Sequence, residues 1–362
     1  MTQEDMATDG NDATGGAATS SRRAIAMWLL FLCALVYAMV VLGGVTRLTQ
    51  SGLSMVNWRP IVGWLPPTSE TEWQDRFTRY KQFPEYRKKN LGMTLSEFKG
   101  IFWLEYLHRL LGRLIGVAFL LPFLWFALRG RLERRLVPKL VAMFVLGGLQ
   151  GLMGWYMVKS GLVDRPDVSQ YRLTAHLGLA VAIYGLMLWT ALGLLAAARG
   201  EPMRAAAPGP RRAALAVATL IAITLLSGGL VAGLDAGFAY NTFPLMDGEL
   251  VPTGAYGLHP WWLSAFEDIA TVQFDHRVLA ITTLTTIVAL WLYLRGRALP
   301  GRARLAGHVL LAAGLAQVSL GIATLLSVVA IPLAASHQAG ALALFTIVLW
   351  LLREMAGTEM SR

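Results

Sequence analysis

Apolar residues concentrate in eight stretches, each with roughly the 20 residues that a helix needs to cross a hydrocarbon core about 30 Å thick. They run Ala24–Val45, Ile101–Leu128, Val137–Val158, Leu173–Ala197, Ala213–Gly233, Val272–Leu294, Leu305–Val329 and Pro332–Leu352. Pro122 inside the second is expected to kink that helix rather than break it. The first 21 residues differ, being rich in Gly, Ala, Ser, Thr and Asp, with Glu4, Asp5, Asp9 and Asp12 among them. They read as a disordered tail, too acidic for a mitochondrial transit peptide, and the stretch that follows is too long for a signal-peptide core. The pattern predicts an all-α integral membrane protein.

Composition agrees. The chain is 55% hydrophobic and 15% charged, with mean hydropathy +0.51, which excludes an ordinary cytosolic globular enzyme. Its one cysteine, Cys33, lies inside an apolar run, so an intrachain disulfide, a CxxC redox pair and a Cys-rich zinc site are all excluded. The net charge of +10 would suggest nucleic acid in a soluble protein, but its placement explains it otherwise. The connectors after the second, fourth and sixth stretches carry 13 cations, among them Arg131, Arg204 and Arg302, against two acids, Glu133 and Glu201. By the positive-inside rule these connectors and both termini are cytoplasmic, in a bacterial inner membrane. Residues Leu234–Thr271 hold five acids and no Lys or Arg, as expected outside. The Thr46–Gly100 connector has nine cations, yet long loops translocate largely regardless of charge.

Residues 43–67 overlay residues 228–252 without a gap, matching Gly43/Gly228, Gly44/Gly229, Gly52/Gly237, Gly63/Gly248 and Pro67/Pro252. His108-Arg109 matches His276-Arg277, Gln150-x-x-x-Gly154 matches Gln317-x-x-x-Gly321, and His176-x-Gly178 is echoed by His337-x-x-Gly340. Four landmarks in one order argue for duplication. Each half has an even number of spans, so both enter the membrane from the same side and a pseudo-two-fold axis along the membrane normal relates them. The expected architecture is two tandem four-helix bundles, residues 22–200 and 201–362, after a cytoplasmic tail at 1–21.

The second, fourth, sixth and eighth spans all descend from the outside, and each carries one histidine near its start: His108, His176, His276 and His337. Ionisable side chains in a membrane are expensive and usually face the bundle interior. Two per half at similar depth would supply the axial ligands of one haem per bundle, whereas a closed zinc site needs four ligands. The alternative for any single histidine is a hydrogen bond between helices. His259 and His308 have no counterparts at matching depth and read as structural.

The halves differ one turn above the first histidine, where Glu105 stands against Gln273. A carboxylate can move protons or stabilise positive charge and an amide cannot ionise, so the N-terminal half is the better candidate for catalysis. The competing reading is a simple Glu105–Arg109 pair at i+4. Arg172, four residues before His176, and Arg47, at the outer end of the first helix, are candidates for holding haem propionates. Arg109 and Arg277 point about 100° from their neighbouring histidines and pair as readily with Glu105 or Asp275.

The segments GGVTRLTQSGLSMVNWRPIVGWLPP, EFKGIFWLEYLHRLLGR, RLTAHLGL, GLDAGFAYNTFPLMDG, VQFDHRVLA and ASHQAGAL together resemble the haem A synthases, in the form found in alphaproteobacteria and mitochondria. The resemblance runs from the first helix to the eighth. It implies oxidation of the C8 methyl of haem o to the formyl of haem a, with a resident haem b as redox partner. It further implies that His108 and His176 face the substrate haem, that His276 and His337 ligate haem b, and that Glu105 is the catalytic carboxylate. The implied partners are membrane lipid, a haem O synthase as donor, cytochrome oxidase assembly and an electron-transfer partner, with homo-oligomerisation open and no role for nucleic acid. Some members carry a cysteine pair in an outer loop of the N-terminal half, which this chain lacks. A bis-histidine cytochrome b-type electron-transfer protein would have symmetric sites, against which Glu105/Gln273 counts. A small-molecule transporter would leave the histidines unexplained.

Overall fold

The computed structural model describes residues 3–56, 64–162, 168–200 and 207–356, with side chains from Thr19 onward. Gly63, Glu201 and Arg204, used above, lie outside the described residues, as do the side chains of Glu4, Asp5, Asp9 and Asp12. Among the described residues eight helices are long and apolar enough to cross a membrane: α1 (Gln3–Leu48, in its part Thr19–Leu48), α4 (Leu95–Leu128), α5 (Val137–Gly161), α6 (Gln170–Ala198), α7 (Pro208–Gly233), α9 (Ile269–Arg295), α10 (Gly301–Leu326) and α11 (Ile331–Met355). The protein is therefore a multi-pass membrane protein. The short α-helices α2 (Glu70–Tyr80), α3 (Pro84–Lys88) and α8 (Ser264–Glu267) lie in the connectors.

The backbone of α1 is helical from Gln3. One detail departs from the sequence reading. Span seven ends at Leu326 rather than Val329, because Val328 (φ 53°) and Val329 (φ 60°) adopt left-handed backbone in the turn into α11. That conformation is strained for β-branched residues and incompatible with continuing the helix. Pro122 leaves α4 uninterrupted.

Helix α1 packs on α4 and α6, and α5 on α4 and α6; in the second half α7 packs on α9 and α11, and α10 on α9 and α11. The groups meet through α1, α6, α7 and α11. The first core joins Leu29 and Leu32 of α1 to Met187 and Leu188 of α6 and takes in Leu342 of α11. A second joins Ile221, Ile287, Leu310 and Leu351. Leu121, Leu149 and Leu315 point outward from α4, α5 and α10, as lipid-facing positions do.

Charged clusters close the end of the bundle where the basic connectors lie. Arg22 Nε donates to Glu133 Oε1 at 2.6 Å and Arg135 Nε to Glu133 Oε2 at 2.7 Å. Buried Glu354 accepts from Arg302 Nε and Trp350 Nε1, both at 3.1 Å. At the opposite end α2 and α3 build an aromatic lobe on the start of α4, uniting Trp73, Phe77, Tyr80, Phe98, Phe102 and Tyr106. Thr94 begins α4 with a reciprocal capping box to Glu97. Beneath the lobe, Tyr80 Oη donates to buried Glu85 at 3.1 Å and accepts from Asn90 Nδ2 at 2.7 Å. Burial and the Glu85 carboxylate raise the Tyr80 phenol above its ordinary pKa.

Candidate functional site

Each of the four helical histidines rests on a glycine of a neighbouring helix. An alanine Cβ at Gly43 would lie 3.0 Å from His108 Cε1, and one at Gly228 3.3 Å from His276 Cε1. At Gly154 and Gly321 the same atom would lie 3.3 Å and 2.8 Å from Cε1 of His176 and His337. These are the two glycine pairs already matched between the halves. Their lack of a Cβ lets an imidazole lie against a helix backbone inside the bundle. The matched glutamines also act alike, Gln150 Nε2 donating to the His176 carbonyl at 3.0 Å and Gln317 Nε2 to the His337 carbonyl at 2.9 Å.

The His276 and His337 rings have centroids 6.5 Å apart and are mutually perpendicular. Two imidazoles held on opposite sides of one metal at about 2 Å each, with about 1 Å more from each nitrogen to its ring centre, would have centroids roughly 6 Å apart. The pair therefore fits an iron between them. In the N-terminal half His108 and His176 each have a buried Nδ1 without a hydrogen-bond partner.

One turn above the histidines, the halves share a scaffold with different chemistry. Arg109 Nη2 donates to the Met55 carbonyl at 2.9 Å, and Arg277 Nη2 to the Tyr240 carbonyl at 2.9 Å, positions that correspond in the repeat. Glu105 is buried and paired with Arg109, and its Oε2 also accepts from Ser54 Oγ at 2.7 Å and Met55 N at 2.6 Å. Three donors, from Arg109, Ser54 and Met55, converge on this one carboxylate. Gln273 instead accepts from Arg277 Nη2 at 2.9 Å and donates to the Ala236 carbonyl at 2.7 Å. The pairing of Arg109 with Glu105 is as the spacing suggested, whereas Asp275 takes the Tyr256 hydroxyl and Arg277 turns to Gln273 and loop carbonyls.

Arg47 Nη2 donates to Asp235 Oδ2 at 2.9 Å, joining the first helix of one half to the turn after α7 in the other, while its buried Nε has no partner. Arg172 stacks over Tyr156, 4.7 Å from the ring centroid. His308 Nδ1 accepts from Trp291 Nε1 at 2.9 Å, a structural role. Ser54 and Met55 beside Glu105 carried no signal in the sequence because they lie in irregular chain. Ser227, whose Oγ is 2.7 Å from His276 Nδ1, was visible only as a mismatch to Leu42 next to a matched glycine pair.

Buried histidines in two helical groups, one pair of them at a ring spacing that would admit a metal, define a candidate haem-handling membrane protein. The chain belongs to the family described as COX15-CtaA, cytochrome oxidase assembly protein, which it matches over residues 26–349. It is 55% identical to the Heme A synthase of Nitrosospira multiformis over 334 residues, 92% of this chain and 94% of the relative. It is 54% identical to the Heme A synthase of Paramagnetospirillum magneticum, over 93% of this chain and 95% of the relative. Human Heme A synthase COX15 is 47% identical over 93% of this chain and 83% of its own length.

Proposed function

We propose that the chain is a haem A synthase of a bacterial inner membrane, oxidising the C8 methyl of haem o to the formyl of haem a. The observation that carries the division of labour is the pair of unlike sites on like scaffolds: Glu105 with Arg109, Ser54 and Met55 above His108, against Gln273 above His276. His108 and His176 face the substrate haem o. His276 and His337 hold haem b, which when bound supplies a one-electron path for the oxidation. Arg47 and Arg172 hold propionates, Arg47 through its unpartnered Nε and Arg172 after leaving Tyr156.

Converting a methyl to a formyl group is a four-electron oxidation in which the carbon loses two hydrogens and gains one oxygen atom, so electron demand and positive charge develop next to the ring. Glu105, held in place by its three donors, stabilises that charge from a fixed position inside a water-poor bundle. Arg109, the Ser54 hydroxyl and the Met55 N–H orient the carboxylate, which is the group that receives a departing proton. The apolar tail of haem o is accommodated by the lipid-facing side of the bundle. Both termini and the basic connectors are cytoplasmic. The deciding experiment is haem extraction from purified protein with mass identification: haem b together with haem o or haem a supports the reading. Haem b alone, unchanged when haem o is supplied with a reductase system, returns the chain to an electron-transfer cytochrome. Reporter fusions at Arg131 and Arg302 should both read cytoplasmic, and one external reading breaks the topology.

A further inference from the structure

The halves treat the non-ligating side of their histidines in opposite ways. In the C-terminal half His276 Nδ1 lies 2.7 Å from Ser227 Oγ and His337 Nδ1 lies 3.1 Å from Gln317 Nε2, but the amide N–H can only donate, so of the two contacts only the Ser227 hydroxyl can accept a proton held on Nδ1. In the N-terminal half both Nδ1 atoms are buried without a partner, and Gln150 faces His176 through Nε2 at 3.3 Å instead. The glutamines are the same residue in both halves. What differs by sequence is Ser227, whose place in the repeat is taken by Leu42, directly before the matched Gly43 and Gly228.

The Thr224 carbonyl lies 2.8 Å from the Ser227 hydroxyl and can take its proton. With the proton there, the oxygen faces His276 as an acceptor, which places the imidazole proton on Nδ1 and leaves Nε2 the lone pair that a metal needs. A partner on the far nitrogen fixes the ring's tautomer and orientation and raises the basicity of the ligand, whereas Leu42 offers His108 nothing of the kind.

We propose that Ser227 is a positioning residue that makes the His276 site retain its haem, and that Leu42 at the equivalent place keeps the His108 site labile, so that one half stores a haem while the other takes in and releases one. This rests on the assignment of the two pairs made above. It also gives the duplication a kinetic meaning, since a product haem must leave and a resident haem must not.

The test follows haem transfer from purified full-length protein to excess apomyoglobin. Ser227→Ala should lose haem b about 10- to 100-fold faster than wild type, the usual scale for removing a hydrogen-bond partner behind a metal-ligating histidine. Ser227→Thr keeps the hydroxyl and should restore slow release, which a merely packing role for Ser227 would not predict. In a His276→Ala background, where the N-terminal pair alone holds haem, adding Leu42→Ser should slow release about 10-fold or more. Wild-type release from Ser227→Ala overturns the proposal even if His276→Ala removes haem b. Should Ser227→Ala give no haem-loaded protein, an unchanged rate for Leu42→Ser overturns it. Retention of the full haem b spectrum by His276→Ala instead overturns the site assignment, and the proposal falls with it.

Discussion

The two halves carry similar histidine, glycine and glutamine contacts, yet outside that frame they diverge. The N-terminal half has a folded aromatic lobe over its site, a carboxylate with three donors, and histidines whose outer nitrogens are unpartnered. Its counterpart has turns and the short α8 outside, an amide in place of the carboxylate, and histidines anchored at Nδ1. Conserving the frame keeps two metal-holding pairs possible. Changing the residues one shell out lets them do unlike work, because tautomer, charge and access are set there rather than by the ligands.

The sharpest way to break the comparison is to remove a ligand from each half. His276→Ala or His337→Ala should abolish the low-spin haem b spectrum, since loss of one axial imidazole leaves the iron five-coordinate or bound by a weaker ligand. His108→Ala or His176→Ala should leave that spectrum in place while haem a formation ceases. Optical spectra of the four purified variants check this, and a wild-type b spectrum in both C-terminal variants reverses the assignment of the halves.

Glu105→Gln tests the difference in chemistry. Haem a yield should fall about 100- to 1000-fold, the range for deleting a preorganised charge-stabilising group, with haem o or a partly oxidised haem accumulating. The environment adds a cost that the Gln273 precedent hides. Gln273 donates to the Ala236 carbonyl, but a glutamine at 105 would meet donors on every side, Arg109, Ser54 Oγ and Met55 N. One of them loses its acceptor, costing about 1–3 kcal/mol of stability. Haem b content measured beside haem a separates the effects: intact haem b with lost haem a assigns a chemical role, and unchanged haem a leaves Glu105 a structural partner of Arg109.

Much of the frame was legible because membranes impose a coarse grammar. Eight apolar stretches, charged connectors and a gapless repeat located the spans to within a few residues and brought the four histidines into view. The environment of Glu105 was not legible, since Ser54 and Met55 reach it from irregular chain whose path depends on the lobe packed by Trp73 and Phe98. Glu354 was missed for a similar reason: its partners Arg302 and Arg199 come from connectors that a sequence reading treats only as topology signals. Ser227 was overlooked because a repeat is read through its matches, and the informative position was a mismatch.

A smaller effect probes whether the halves communicate. Gln338, next to His337, donates through Nε2 to the Val40 carbonyl at 2.9 Å, and Tyr37 Oη donates to the Ala339 carbonyl at 2.7 Å, so α11 is tied to α1 between the two sites. Gly44 makes this contact possible, for a Cβ there would lie 1.6 Å from Gln338 Oε1. Gly44→Ala must push Gln338 aside and move the turn of α11 that carries His337, so it should shift the haem b spectrum or midpoint potential while a haem remains bound. Tyr37→Phe removes one interhelix hydrogen bond and no atoms of packing, which in a membrane interior is worth about 0.6 kcal/mol on average. It should lower thermal stability slightly and leave the haem b spectrum unchanged. If Tyr37→Phe moves the spectrum as far as Gly44→Ala does, the coupling runs through hydrogen bonding along α1 rather than through the close packing at Gly44; if neither moves it, the two histidine sites are independent and the shared interface serves stability alone.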